Sequence, residues 1–292
     1  MGERSRGEVL IDMSKCRNIE MSKYRNIEMP KCRNIATTKM TIALIGRGRL
    51  ATNLLPALQQ AGHDVVSVNS RTLEELPPRA DIYIISVKDS ALQEVIAKAT
   101  KGREQQFFVH TAGSMPLDVF AGYCEHYGVF YPMQTFSKER LVSFREIPVF
   151  YEASDNETLQ TVKQLADSVS QQVYELSTEE RKYLHLAAVF ACNFVNHCYA
   201  LSADILAQHG LPFDVMLPLI DETARKVHEL HPLDAQTGPA VRYDENVISM
   251  QANLIDNPAV RQLYERLSQS IHQKAIQKND QLRLTEDTSH RV

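Results

Sequence analysis

Apolar and polar positions alternate along residues 40–151 in short blocks that predict strands joined by helices. The first block, residues 40–45 (MTIALI), is a continuous apolar run that ends at Gly46, as in a strand buried on both faces. Residues 50–61 then carry leucines at helical spacing up to Gly62. Further strands are predicted at 64–69, 81–87, 106–110, 128–131 and 148–151, with a helix at 90–98. Strands that alternate with helices are typical of a doubly wound parallel sheet.

The pattern changes to helices after residue 155. Helical spacing of apolar residues predicts helices at 157–171, 177–210, 214–230 and 257–278. The predicted fold class is therefore α/β, with an N-terminal Rossmann-like doubly wound parallel sheet followed by an all-helical C-terminal domain. We expect the first domain to span residues 40–155 and the second 156–278, with a flexible polar tail at 279–292.

Residues 1–39 differ from the rest of the chain. Within them, MSKCRNIE, MSKYRNIE and MPKCRNIA form three near-copies of an eight-residue unit at residues 13–36. Each unit holds too few apolar residues to bury a face. The repeats are interpreted either as a basic interaction arm or as a disordered or extraneous leader before an ordered domain that begins at Met40. The abrupt start of the α/β pattern at Met40 favours the leader.

Composition narrows the class of protein. Apolar residues make up 43% and charged residues 23% of the 292 residues, as in globular proteins. The 32 basic and 36 acidic residues give a net charge of −4, so no strongly basic field is available for nucleic acid or an anionic membrane. The five cysteines form no CxxC pair, which favours a reducing cytoplasm over a disulfide framework.

The most apolar stretch, residues 184–201, is interrupted by polar side chains. His185, Asn193, Asn196 and His197 would each be costly in a bilayer. We therefore expect this stretch to be a buried helix of a soluble protein and not a membrane span.

The glycine motif is the most specific chemical signal in the chain. Residues 46–51 read GRGRLA, a GxGxxA pattern between the first strand and the first helix. In such a motif Gly46 permits the tight turn, Gly48 lets a pyrophosphate approach the backbone, and Ala51 allows close helix–strand packing. The alternative is a glycine-rich turn without a ligand, but its place at the start of the sheet favours dinucleotide binding.

The end of the second predicted strand bears on the choice of cofactor. Residues 69–72 read NSRT, without the carboxylate that usually accepts a hydrogen bond from the ribose of NAD. Arg71 with the Ser70 and Thr72 hydroxyls favours a 2′-phosphate, and hence NADP(H) over NAD(H). Alternatively, Arg71 lies on an ordinary surface turn. The predicted cofactor-binding residues are Gly46, Gly48, Arg49, Leu50, Ala51, Ser70, Arg71, Thr72, Val87 and Lys88. No cluster has metal-ligand spacing, so no metal is expected.

Five motifs together resemble one family. They are GRGRLA (46–51), HTAGS (110–114), YPMQTFS (131–137), HLAAVFACNFVN (185–196) and TGPAVRYD (237–244). In this order they resemble Rossmann-like proteins with a DUF2520 C-terminal domain, which are labelled NADP- or coenzyme-F420-dependent oxidoreductases and have no settled reaction. The chain is more distantly similar to pyrroline-5-carboxylate reductase and to the 6-phosphogluconate and β-hydroxyacid dehydrogenases.

The chain departs from these relatives in two places. Tyr131 stands where members of the family often carry histidine, so acid–base work is not assigned to it. The short link between the second and third strands also implies that a strand and a helix common in larger relatives are missing.

The predicted substrate-binding residues follow strand ends, where open α/β sheets bind ligands. They are His110, Thr111, Ser114, Gln134 and Thr135, together with Arg242 of the helical domain. His110 has the alternative role of a core histidine with satisfied hydrogen bonds. Arg242 is suited to clamping a carboxylate, or alternatively pairs with Asp244 or Glu245 on the surface.

The long predicted helix carries the candidate catalytic residues. Lys182, His185, Val189, Asn193 and Asn196 share one face beside an apolar line of Leu186, Phe190 and Phe194. The resemblance to dehydrogenases implies that such a helix faces the nicotinamide, with His185 as general acid/base and Asn193 orienting the substrate. Interhelical hydrogen bonds or a dimer interface remain the alternative.

The sequence leaves two functions open. One is an NADP(H)-dependent oxidoreductase that transfers hydride to or from a small C=O or C=N substrate in a cleft between the two domains. The other is a non-catalytic dinucleotide-binding sensor or scaffold, because fold alone does not decide function. We expect a small-molecule substrate, a homodimer formed through the helical domain, and no nucleic acid or membrane partner.

Overall fold

The computed structural model describes the backbone of residues 38–289 and the side chains of residues 38–280. The predicted repeat leader lies outside the described residues apart from its last two positions. The described residues divide into two compact units, of which the first ends at Glu179 and the second begins at Glu180. The sequence placed this boundary at residues 155 and 156, whereas the structure groups residues 156–179 with the first unit.

The first unit is built around a seven-stranded sheet of order β2-β1-β3-β4-β5-β6-β7. The strands are β1 (Thr41–Ile45), β2 (Asp64–Val68), β3 (Ile82–Ile85), β4 (Phe107–His110), β5 (His126–Pro132), β6 (Val149–Ala153) and β7 (Val173–Glu175). β1 pairs in parallel with β2 on one side and with β3 on the other. The chain thus adds β2 on one side of β1 and β3 on the other. This reversal of the strand order creates the switch point at which open α/β sheets bind ligands.

The sheet is parallel except between β5 and β6, which pair antiparallel. A parallel pair needs a crossover of a dozen or more residues, usually a helix, to return the chain to the same end of the sheet. The link from β5 to β6 contains only a 3-10 turn at Phe144–Glu146, so the chain runs directly back. The prediction of an α/β fold with a doubly wound parallel sheet is confirmed, and β5–β6 is the one antiparallel pair within this sheet.

The link between β2 and β3 contains neither a strand nor a helix. Residues 69–81 form turns, and β1 lies between β2 and β3 in the sheet. The prediction that a strand and a helix are missing here is confirmed.

Helices cover both faces of the sheet. They are α1 (Arg49–Gln60), α2 (Asp89–Ala99) and α3 (Asn156–Val169). Leu54 of α1 and Leu165 of α3 belong to one buried apolar cluster. Leu92 of α2 belongs to a second cluster that contains the alternate residues of β1 and β3. Because α3 packs on the sheet, residues 156–169 contribute to the core of the first unit.

The second unit is helical. It contains most of α4 (Thr178–Ala188), a π-helical segment (Val189–Phe194), α5 (Val195–Gln208), α6 (Leu217–Glu229), α7 (Pro232–Ala235), α8 (Pro239–Arg242), α9 (Glu245–Asn253) and α10 (Pro258–Ser289). α4, the π segment and α5 form one continuous helix, Thr178–Gln208, called the long helix below. The backbone of α10 continues beyond residue 278, where the sequence predicted the domain to end.

The long helix is exposed, contrary to the expectation of a buried helix. It is long and apolar enough to cross a membrane, with a mean hydropathy of 1.3, and none of its most apolar window is buried within the described chain. Leu186 is 54%, Phe190 62% and Phe194 50% exposed. Length and composition alone are weak evidence for a span, and the helix also carries His185, Asn193, Asn196 and His197. The apolar line therefore predicted the helix correctly, but the expected burial of this helix is wrong within the described chain.

His63, at the start of β2, is a buried histidine held in its neutral form. Its Nδ1 accepts from the Met40 N–H at 3.1 Å, and its Nε2 lies 2.9 Å from the Ser168 hydroxyl. That hydroxyl donates to the Leu165 carbonyl at 2.6 Å, so Nε2–H donates to it. Burial lowers the pKa of His63 because the charged ring would lose its hydration.

The lowered pKa of His63 predicts a loss of stability at acid pH. In the unfolded chain this histidine has a pKa of about 6.5, so as the pH is lowered the unfolded chain binds the proton before the folded chain does. The free energy of unfolding therefore decreases as the pH decreases. Urea unfolding from pH 8 to 5 should show a smaller fall for His63→Asn than for the unaltered protein. His209→Asn, at an exposed position, is the control, and an equal fall in all three proteins would contradict the assignment.

Candidate functional site

The glycine turn lies between the ends of β2 and β3. The Gly46 N–H donates to the Val68 carbonyl at 2.9 Å, and the Ser86 N–H donates to the Ile45 carbonyl at 2.8 Å. Gly46 has a φ of +124°, and a Cβ there would lie 2.1 Å from the Ser86 oxygen. The same Cβ would lie 3.5 Å from a methyl of Val87, so Gly46 and Val87 are neighbours. Only glycine fits this position.

Gly48 is different, because the space around it is open. It is exposed, its φ is −78°, and a Cβ added there would meet no atom within 4 Å. Gly48 precedes α1, and no side chain caps the N–H groups of the first turn. The first intrahelical bond runs from the Thr52 N–H to the Gly48 carbonyl, which leaves the N–H groups of Arg49, Leu50 and Ala51 for a ligand. These residues fit a pyrophosphate at a helix N-terminus.

The loop after β2 is folded by its own hydrogen bonds. The Asn69 Oδ1 accepts from the Arg71 N–H at 3.0 Å, and the Asn69 carbonyl accepts from the Leu73 N–H at 3.0 Å. Arg71 and Thr72 are exposed and Ser70 is half-buried. Because Gly46 is bonded to Val68, this loop begins immediately beside the glycine turn. The structure therefore brings the predicted ribose-side residues and the predicted pyrophosphate residues to one end of the sheet.

The HTAGS loop lies at the same edge of the sheet, after β4. The Thr111 N–H donates to the Ile85 carbonyl at 3.2 Å, which joins this loop to the end of β3. The Ser114 hydroxyl donates to the Asp89 carboxylate in the first turn of α2, directly after Val87 and Lys88. Thr111, Ser114, Val87 and Lys88 are thus placed beside one another. Asp89 was not among the residues predicted for the site.

His110 is fully buried, and both of its ring nitrogens have partners. Its Nδ1 accepts from the Ala112 N–H at 3.2 Å, so the opposite nitrogen carries the proton and donates to the Pro116 carbonyl at 3.2 Å. The ring also stacks on Phe120 with centroids 5.7 Å apart. These contacts fit the alternative of a satisfied core histidine that shapes the loop. Direct contact between His110 and substrate stays a prediction.

Gln134 and Thr135 follow β5 and are exposed, with the Gln134 Oε1 accepting from the Thr135 N–H at 2.8 Å. Their loop is attached to α1 by Asn53. The Asn53 amide donates to the Ser137 carbonyl at 2.7 Å, and its oxygen accepts from the Val142 N–H at 3.1 Å. Asn53 is 2% exposed and links the glycine-turn helix to the predicted substrate loop. The sequence signal for this role was a polar residue, Asn53, on the apolar face of the predicted helix next to Leu54.

The π segment changes which residues share the face of the long helix. A π turn holds one residue more than an α turn, so residues beyond it are rotated back by about 100°. Beyond the segment Val189–Phe194, His197 and not Asn196 therefore continues the line that begins at His185. His185 is half-buried, whereas Asn193 and His197 are exposed. The predicted stripe holds up to the π segment and is wrong at Asn196.

Arg242 ends α8 and is exposed. The Asp244 carboxylate, one of its predicted surface partners, caps α9 by accepting from the Val247 N–H at 3.3 Å. Tyr243 between them has a φ of +53° and stacks on His272 with centroids 4.8 Å apart. His185, Asn193 and Arg242 all belong to the second unit, and their role in catalysis or substrate binding stays a prediction.

Clustered metal ligands and thiols are the other features that can carry chemistry among residues 38–280. No group of three metal-ligating side chains occurs there. Burial raises the pKa of the Cys124 thiol to about 12, so this thiol is not a nucleophile at neutral pH. Cys192 and Cys198 are also free thiols.

Two family models match the chain. Residues 41–100 match the model described as NADP oxidoreductase, coenzyme F420-dependent, which covers the glycine turn and the loop after β2. Residues 147–271 match the domain of unknown function DUF2520. No curated protein matches the chain.

Solved structures show the same fold. A candidate NADP oxidoreductase from Bacteroides fragilis is 52% identical, with a TM-score of 0.77 over 80% of this chain and 98% of that one. A protein from Thermotoga maritima is 22% identical, with a TM-score of 0.65 over 80% of this chain and 99% of that one. Pyrroline carboxylate reductase from Plasmodium falciparum, solved with NADP bound, is 14% identical, with a TM-score of 0.53 over 81% of this chain and 97% of that one.

The likeness to the Thermotoga and Plasmodium proteins concerns the fold alone. The Bacteroides protein, in contrast, shares half of its residues over nearly its full length. Together with the glycine turn, these comparisons support an oxidoreductase that uses a nicotinamide cofactor. The chain belongs to the family of NADP-oxidoreductase-like proteins in which a Rossmann-like domain precedes a DUF2520 domain.

Proposed function

We propose that this protein is an NADP(H)-dependent oxidoreductase that transfers hydride to or from a small C=O or C=N substrate. One observation carries the proposal: Gly46 is fixed between two strand ends, while the next glycine, Gly48, opens onto free space at an uncapped helix N-terminus. A turn without a ligand needs the first feature but not the second. A bound dinucleotide needs both.

The preference for NADP(H) rests on the loop after β2. Residues 69–72 offer no carboxylate for a ribose hydroxyl, and Arg71 is exposed beside the Ser70 and Thr72 hydroxyls. A guanidinium forms two parallel hydrogen bonds with a phosphate, each strengthened by charge.

Arg71→Ala should therefore weaken NADPH binding by about 10- to 100-fold and leave NADH binding within about twofold, because a hydrogen bond to a charged group contributes about 1.5–3 kcal/mol. Fluorescence titration of the reduced nicotinamide measures both affinities. Equal losses for the two coenzymes would contradict the 2′-phosphate assignment.

The second unit would supply the groups that act on the substrate. The nicotinamide cofactor, when bound, would donate or accept the hydride. In the proposal His185 exchanges a proton with the substrate oxygen or nitrogen, and the Asn193 amide holds the reacting group. Thr111, Ser114, Gln134 and Thr135, at the carboxyl edge of the sheet, would orient the substrate, and Arg242 would bind a substrate carboxylate.

Turnover distinguishes this proposal from a sensor or scaffold. A screen of metabolite pools that follows the absorbance of NADPH should reveal a consumed substrate. Binding of NADPH without turnover, either with any pool or with purified ketones and cyclic imines, would favour the sensor.

We propose that the exposed apolar face of the long helix is covered by a second copy of the chain. Leu186, Phe190 and Phe194 are each at least half exposed, and the two phenylalanine rings contact each other edge to face with centroids 4.9 Å apart. A contiguous apolar patch of this kind is typical of an interface. The polar residues on the same helix argue against a membrane, and the net charge of −4 argues against nucleic acid. The cysteine pattern supports a cytoplasmic location.

Sedimentation at micromolar concentration should accordingly give the mass of a dimer. Phe190→Asp places a charge within the apolar face and should shift the protein to monomers, whereas Val66→Asp, at an exposed apolar residue of the first unit, should not. A monomeric mass for the unaltered protein would refute the dimer.

A further inference from the structure

Arg47, between the two glycines of the turn, reaches toward the loop after β2. One of its terminal nitrogens lies 3.8 Å from a carboxylate oxygen of Glu75, and both side chains are exposed, by 59% and 72%. Neither residue is among those predicted from the sequence to bind the cofactor. The contact places the Arg47 guanidinium beside Glu75, in the same loop that carries Arg71.

The position of Glu75 is fixed by its neighbours in the chain. Leu76 is buried in the apolar cluster beneath α2, and its N–H donates to the Leu73 carbonyl at 3.1 Å. The Arg103 guanidinium donates to the Leu76 and Pro77 carbonyls at 3.3 and 3.0 Å. Glu75 therefore belongs to a loop that is held at both ends, by Val68 at the glycine turn and by Arg103 beyond it.

Arg47 and Arg71 flank the same point of the backbone. The Gly46 N–H donates to the Val68 carbonyl. Gly46 directly precedes Arg47, and Val68, the last residue of β2, lies three residues before Arg71. This is the place where a dinucleotide bound on the glycine turn puts its adenosine ribose. The backbone segments that carry Arg47, Arg71 and Glu75 therefore meet at the predicted ribose position.

We propose that Arg47 is, with Arg71, a second ligand of the NADPH 2′-phosphate, and that Glu75 is the counterion that this phosphate displaces. The inference rests on the proposed function and adds a residue that determines cofactor specificity. A phosphate monoester carries a charge of about −1.5 to −2 at pH 7. An exposed carboxylate–guanidinium pair is weak, so a dianion that binds two arginines replaces it readily.

Glu75 should affect the binding of NADPH but not that of NADH. Its charge repels a nearby 2′-phosphate but not the neutral ribose hydroxyl of NADH. Removal of this charge should strengthen NADPH binding, and removal of Arg47 should weaken it. A residue that only stabilised the turn would change both coenzymes alike.

The test compares Arg47→Gln, Glu75→Gln and the matched control Glu74→Gln, in which the same charge is removed from the adjacent exposed position of the same loop. Dissociation constants for NADPH and NADH are measured by nicotinamide fluorescence. Competition by 2′,5′-ADP is compared with competition by 5′-AMP, and the difference gives the contribution of the 2′-phosphate to binding. Arg47→Gln should weaken NADPH and 2′,5′-ADP about tenfold or more and change NADH less than twofold. Glu75→Gln should strengthen NADPH by up to about fivefold, and Glu74→Gln should change it less than twofold.

Each outcome separates the two proposals. If the unaltered protein binds NADPH but Arg47→Gln leaves its preference over NADH unchanged, Arg47 is not a ligand of the 2′-phosphate and this inference fails alone. If Glu74→Gln has the same effect as Glu75→Gln, the effect comes from the net charge of the loop, and Glu75 is not the specific counterion of Arg47. If the unaltered protein binds neither coenzyme, the proposed function and this inference both fail.

Discussion

Gly46→Ala is expected to destabilise the protein severely, whereas Gly48→Asp is expected to leave its stability unchanged and abolish dinucleotide binding. The two glycines are two residues apart in one motif, yet their surroundings are opposite. At Gly46 a methyl group would lie 2.1 Å from the Ser86 carbonyl oxygen, and the φ of +124° strains any residue with a side chain. Overpacking and left-handed strain together cost about 3–5 kcal/mol, a large part of a typical folding free energy.

At Gly48 a side chain meets open space, and the backbone conformation is an ordinary one. Aspartate is a preferred residue before a helix, so Gly48→Asp should change the free energy of unfolding by no more than about 0.5 kcal/mol. Its carboxylate would occupy the place of the pyrophosphate and repel it. Like charges in contact cost several kcal/mol, so we expect a loss of affinity of at least about 100-fold for NADPH and NADH alike.

Thermal unfolding and coenzyme titration of both variants check this contrast. Gly48→Ser is the matched control, because serine also caps a helix but adds no charge; it should retain more affinity than aspartate does. Tight NADPH binding by Gly48→Asp would show that the pyrophosphate lies elsewhere. A stable Gly46→Ala protein would show that the turn relaxes more easily than its contacts with Ser86 imply.

His185→Ala is expected to reduce turnover by about 100- to 10,000-fold, the usual contribution of a general acid or base. NADPH affinity should stay unchanged, because the predicted cofactor residues all lie in the first unit. The measurement is steady-state NADPH oxidation with the substrate that the metabolite screen identifies, together with coenzyme titration of the same preparation.

His209→Ala is the control for His185→Ala, since His209 is an exposed histidine at the end of the same long helix. It should retain full turnover. Unaltered turnover in His185→Ala would remove His185 from the mechanism.

Local patterns were sufficient to predict the sheet and the glycine turn. β1 and β3 are buried on both faces and therefore form unbroken apolar runs. The GxGxxA spacing reflects contacts within a few residues of the motif, as Gly46, Val68 and Ser86 show. The missing strand between β2 and β3 could also be inferred, because too few residues are available to form it.

Long-range contacts could not be inferred in the same way. Nothing near residue 150 indicates that β6 runs antiparallel to β5, because direction depends on how the connecting loop returns. The bonds from Asn53 to Ser137 and Val142 join positions more than 80 residues apart in the chain. The π segment contains neither proline nor glycine, which are the usual local signals of a helix distortion. The apolar line on the long helix predicted burial, but the described part of the chain does not bury it.

The central claim is that the backbone amides at Gly48 and in the first turn of α1 bind a dinucleotide pyrophosphate. Isothermal titration of the unaltered protein with NADPH, NADP⁺, NADH and NAD⁺, alongside Gly48→Asp, tests it most directly. We expect saturable heat with NADPH, at least about tenfold tighter binding of NADPH than of NADH, and no heat with the aspartate variant. Absence of heat from all four coenzymes with the unaltered protein would contradict the claim.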